Sequence, residues 1–165
     1  MPNERLIKMD ERDHEPLKEG EHVCDMCAFG EDEVRAREAQ MMKDVGWYAH
    51  YVHDEPSSPF NINYHTHGLD VTFKHKDLQA CLPAQPQMLH EIIFNIIRRI
   101  KSGEQFNVGD RVSNIIGGSY QITFIAAREC GRDVLRVIFP DKAGILEKEL
   151  MDSSLSPQYE GLDND

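Results

Sequence analysis

"PQMLHEIIFNIIRRIKSG", residues 86–103, decides the fold class. Met88, Leu89, Ile92, Ile93, Ile96, Ile97 and Ile100 recur at helical spacing and cover about half of a helix circumference. A stripe that broad needs a sheet or another helix to cover it, so this segment is read as the central core helix. Each fully buried aliphatic side chain contributes about 1.5–3 kcal/mol before conformational entropy is counted. Phe94 points away from the stripe. Its position suits either a second packing surface, such as a homodimer contact, or cover by a loop or the N-terminal arm. Arg98, Arg99 and Lys101 end the helix, where cations complement its negative end.

The segments on either side read mainly as strands. Upstream, "EDEVRAREAQMMKDVG" (31–46) is a shorter helix with acidic residues at its start and a glycine at its stop. "GWYAHYVHD" then alternates, with Trp47, Ala49 and Tyr51 on one side and Tyr48, His50 and Val52 on the other. "EPSSP" is a loop, "FNINYHTHGL" a second strand closing at Gly68, "DVTFKHKD" a polar connection and "LQACL" a third short strand. Downstream, "GDRV" leads into another strand, and "GGSYQITFIAA" and "VLRVIFP" are hairpin partners joined by "GRD". The expectation is a single α+β domain with a largely antiparallel sheet packed on one long amphipathic helix plus the shorter N-terminal helix. It spans residues 22–150, between a polar arm at 1–21 and an irregular acidic tail at 151–165.

Composition narrows the function classes. The 165 residues are 40% hydrophobic and 28% charged, which is globular, and the net charge is −11, with acidic residues concentrated in the first 55 positions. Such a surface repels phosphate backbones and anionic headgroups, so neither nucleic acid nor membrane is an expected partner. No apolar run approaches the ~18 residues of a membrane span, and the N-terminus lacks the apolar core of a signal peptide, so a cytoplasmic location is expected. The four cysteines, at 24, 27, 81 and 130, are too sparse for a disulfide framework. Cys81 and Cys130 read as buried small residues within strands.

"HVCDMC" (22–27) holds the residues closest to a chemical motif. Cys24 and Cys27 place two thiolates on one tight turn, which suits a tetrahedral zinc ion. Two further ligands are needed, and His65 and His67, two apart on a strand, project from one face; His22 could replace one of them. With all four positions filled the site is structural. With one left to water it could be hydrolytic, with Glu38 as general base. A redox role for the pair is disfavoured by Asp25, Glu31 and Asp32, which oppose thiolate formation. No phosphate loop and no serine nucleophile elbow is present, so catalytic residues stay unassigned. The default class is a binding or regulatory module for a protein or small-molecule partner.

Several short motifs, taken in order, carry a resemblance. They are Cys24 and Cys27, Gly46 and Trp47, Pro59 and Phe60, Thr66 with Gly68 and Leu69, Leu82 and Pro83, and Gly117 and Gly118. Together, over about residues 22–139, they resemble the bacterial family called domain of unknown function 4262. The resemblance implies no activity. It does mark one departure: members typically have an aromatic and an aliphatic residue flanking the threonine, where this chain has His65 and His67.

Overall fold

The structure is a computed structural model and describes residues 29–53, 60 and 62–160. Cys24, Cys27 and His22 lie outside the described residues, as does the expected arm. Among the described residues, three helices and six strands follow in chain order: α1 (Glu31–Asp44), β1 (Tyr48–His53), β2 (Ile62–His67), α2 (Leu69–Phe73), β3 (Leu78–Ala80), α3 (Pro86–Lys101), β4 (Arg111–Ser113), β5 (Gln121–Glu129) and β6 (Arg132–Ile138). A 3-10 turn at Ser156–Tyr159 follows, within a segment whose Met151 and Gln158 are buried.

The strands form one sheet in the order β1-β2-β3-β6-β5-β4. It is mixed. Neighbours β1/β2, β2/β3, β4/β5 and β5/β6 pair antiparallel, whereas β3 and β6 run parallel, with Gln79 opposite Arg136. The largely antiparallel expectation is corrected at this central seam. After β3 the chain leaves through α3, builds β4 and β5, and then inserts β6 beside β3, a long crossover of the kind that parallel neighbours require.

The 86–103 stripe folds as α3. Pro86 stands in its first turn, where the missing N–H costs nothing, and Leu89, Ile93, Ile96, Ile97 and Ile100 are buried. They belong to one apolar cluster with Trp47, Tyr64, Leu78, Ala80, Phe124, Leu135 and Val137 from the sheet. One expectation for this helix is corrected. Met88 is exposed, because the buried stripe starts at the next residue, Leu89. Of the two alternatives for Phe94, the structure shows a partly buried ring packed against the core, 6.4 Å from the His90 ring in a stacked arrangement.

The "polar connection" holds a helix. Residues Leu69–Phe73 make a single short turn, and Asp77, 2% exposed, secures its start: Asp77 Oδ1 accepts from Leu69 N–H at 3.1 Å and from Thr66 Oγ1–H at 2.9 Å. Gly68 opens this turn at φ +100°; a Cβ there would come within 2.5 Å of Met42 Sδ and 3.0 Å of the Gly46 carbonyl. Only glycine lets the end of α1 pass so close. Thr72 Oγ1–H donates to that carbonyl at 2.6 Å and fixes the junction. α1 is thereby held near the face of β1 and β2 that carries the histidines. No helix among the described residues is long and apolar enough to cross a membrane.

Candidate metal centre on the polar face of the sheet

Alternation along β1 and β2 separates their side chains into two sets. Ile62 and Tyr64 join the apolar cluster. Tyr48, His50, Asn63, His65 and His67 take the opposite face, and the register sets His50 opposite His65 and Tyr48 opposite His67. The rings of His50, His65 and His67 have centroids 4.7–5.4 Å apart. One ring nitrogen from each can be chosen so that all three lie within 4.8 Å of one another. His67 stacks on Tyr48 at 4.8 Å with the rings 13° from parallel.

A hydrogen-bond chain behind His65 decides which of its nitrogens carries the proton. Arg136, 1% exposed, can only donate, and its Nε–H goes to Gln79 Oε1 at 2.8 Å. That orientation turns the Gln79 amide nitrogen toward Asn63 Oδ1, at 3.1 Å, and Glu129 Oε2, at 3.2 Å. The Asn63 amide nitrogen donates to the same carboxylate oxygen at 2.5 Å, so its Oδ1 is an acceptor. His65 Nδ1 lies 3.1 Å from that Oδ1 and therefore carries the hydrogen, leaving the lone pair on Nε2. At His50, Nε2 lies 2.6 Å from Glu38 Oε1; the carboxylate accepts a hydrogen bond from Nε2–H, which leaves the lone pair on Nδ1. Carboxylate and amide partners behind imidazoles orient metal-ligating histidines in this way.

Two ring nitrogens in this cluster have no partner. Among the described residues, His65 Nε2 and His67 Nε2 are the buried side-chain polar atoms without a hydrogen bond. His65 Nε2 approaches Glu129 Oε1 at 3.5 Å, too long for a hydrogen bond, and the pair is not ionic while His65 is neutral. Burial, first, keeps it neutral: it lowers the His65 pKa to about 4 against the opposing pull of Glu129, with His50 and Arg132 adding to the depression. Burial, then the charge of Arg132 and the neighbouring rings, lowers His67 to about 3. Arg132 is held in place by an ion pair with Asp77 and by donating to the Thr66 carbonyl at 2.8 Å. Both imidazoles are thus neutral at physiological pH.

The buried His75 and the half-buried His90 show what a merely structural imidazole does in this fold. His75 Nδ1–H donates to the Lys76 carbonyl at 2.7 Å, and its Nε2 accepts from Phe106 N–H at 3.1 Å. His90 Nδ1 meets the Tyr64 hydroxyl at 2.8 Å.

The structure therefore brings together His65 and His67 of the sequence-derived ligand set. It adds His50, which the sequence places on the same side as Tyr48 without marking it as a ligand. Glu38, expected as a general base, is engaged in orienting His50. Asn63, Gln79, Glu129 and Arg136 were not singled out at all. One signal for them exists: Asn63, His65 and His67 are alternate polar residues in a strand whose other face is core. Cys130 is not buried within a strand but exposed in the β5–β6 turn, because the hairpin closes two residues earlier than "GRD" implies; Cys81 is buried just beyond β3.

A mixed sheet backed by one long helix and carrying a polar, histidine-bearing face defines a small α+β protein. The chain belongs to the family described as domain of unknown function (DUF4262), whose family model matches residues 41–146. That span begins after the cysteine pair, not before it as the motifs suggest, and includes His50, His65 and His67. No curated protein and no solved structure matches the chain.

Proposed function

We propose that this protein is a binding module whose ligand is a transition-metal ion, zinc first, held by His50, His65 and His67. The observation that carries this reading is the pair of buried Nε2 atoms on the neutral rings of His65 and His67, left without partners where His75 has both of its nitrogens satisfied. An unpaired buried polar atom costs about 1–3 kcal/mol. An ion that accepts both lone pairs, with His50 Nδ1, converts that cost into binding energy. Imidazole donors suit zinc, copper and nickel and disfavour magnesium and calcium. A fourth position falls to water or to another donor, and Cys24 and Cys27 are the donors the sequence offers for it. The same open position is what a hydrolytic role would use, and the net charge of −11 favours cations over nucleic acid as ligands.

Metal analysis of protein purified without a histidine tag tests this. About one zinc per chain is expected, and loss of that zinc in a His65→Ala/His67→Ala variant that keeps its circular dichroism and its denaturation midpoint. Metal-free wild-type protein that also fails to take up added zinc overturns the reading.

A further inference from the structure

β5 and β6 are joined by Cys130 and Gly131 alone, since Glu129 pairs with Arg132. Both turn residues have positive φ, +50° and +71°. That is the pattern of a two-residue type I′ hairpin turn, which ordinarily takes Asn, Asp or Gly at its first position. Other side chains are uncommon there because Cβ crowds the backbone. A cysteine is held at this strained position, and its direction is informative. Sγ lies 3.2 Å from Glu129 Oε1, the same oxygen that stands 3.5 Å from the unpartnered His65 Nε2. Donor atoms of His65, Glu129 and Cys130 all lie within 4.8 Å of one another. His65 is 3% exposed and Glu129 1%, whereas Cys130 reaches solvent.

We propose that His65, Glu129 and Cys130 form a second ligand set beside the histidine triad, holding a thiophilic transition-metal ion through the Cys130 thiolate. The proposal rests on the reading of His65 as a ligand and goes beyond it in naming the sulfur donor. His65 has one free ring nitrogen, so the two sets share a corner and are alternative positions of a single ion, not a two-ion centre. On binding, the Sγ–H bond breaks, its proton leaves to solvent, and a metal–sulfur bond replaces the hydrogen bond to Glu129. A mixed sulfur, nitrogen and carboxylate set takes zinc or cobalt and rejects magnesium and calcium. The exposed thiol is the side from which an ion arrives, and the buried imidazoles are where it is retained.

Titration of the full chain with Co(II) tests this, because the visible d–d bands report a tetrahedral site and a near-ultraviolet charge-transfer band reports a thiolate ligand. Both are expected in the wild type, at one cobalt per chain. Cys130→Asn, which puts a residue at home in this turn, should keep the fold and the visible absorption and lose the near-ultraviolet band. Changing Cys24 and Cys27 to serine should leave that band in place. Visible bands without the ultraviolet one overturn the proposal while leaving the histidine site standing. An ultraviolet band that survives Cys130→Asn and vanishes with Cys24 and Cys27 overturns it by assigning the sulfur to the N-terminal pair. Two cobalt ions per chain in the Cys24→Ser/Cys27→Ser protein overturn the shared corner. Failure to bind cobalt removes both readings.

Discussion

On the α3 side of the sheet, Tyr64, Leu78, Ala80, Leu135 and Val137 lie in one cluster with Ile93, Ile96 and Ile97 of the helix. On the opposite side, at the neighbouring positions of the same strands, Asn63, His65, Gln79 and Arg136 are as thoroughly buried, each at 3% exposure or less. The apolar face gains from burial itself and needs only shape. The polar face gains from burial only where its polar atoms find partners, and among the described residues the buried side-chain atoms do so except at the Nε2 atoms of His65 and His67. One face stabilises the fold; the other leaves two ring nitrogens unmet.

Variants separate the two faces. Ile93→Ala, which opens a cavity under α3, should cost about 2–5 kcal/mol of unfolding free energy in a urea titration and leave zinc content per folded chain unchanged. A loss below about 1 kcal/mol would mean that the helix is not the main source of stability.

Acid should act through the polar face. His65 and His67 have folded pKa values of about 4 and about 3, below the ordinary 6.5. Below pH 6.5 the unfolded chain therefore takes up protons that the folded chain refuses. Their contribution is fully present above that pH and is lost as pH falls toward about 4 and then about 3. Urea midpoints measured between pH 7 and 4.5 should fall in the wild type and fall less in a His65→Phe/His67→Phe variant. Equal slopes would show that these rings titrate normally.

The smallest expected effect sharpens the comparison most. His67→Phe keeps a ring to stack on Tyr48 and removes an unsatisfied nitrogen, so metal-free stability should change by less than about 1 kcal/mol, with a slight gain. Zinc retention should drop at the same time. A large destabilisation without loss of zinc would mark His67 as a packing residue.

Particular residues show how much was legible beforehand. The spacing from Leu89 to Ile100 forces a helix with one apolar side, and alternation in "GWYAHY" sets Trp47 and Ala49 on one side, which the structure shows to be the core side. His65 and His67 on one face follow from a strand period of two. The turn at Leu69–Phe73 was not legible, because a five-residue helix has no periodicity to read and its cap, Asp77, lies beyond its end. Met88 and Cys130 were misplaced for a related reason: each stands at the margin of an element, where burial depends on what the rest of the chain lays over it.

By itself the sequence determined the longer elements, the apolar face of α3 and the shared face of His65 and His67, since these depend on neighbours within a turn or a few strand positions. Only the tertiary structure decided the parallel seam between β3 and β6, the register that sets His50 against His65, and the arrival of Glu129 beside Asn63 from 66 positions away. Pairings across such distances depend on how the chain returns to the sheet. That return is set by the packing of the whole core and not by any local pattern.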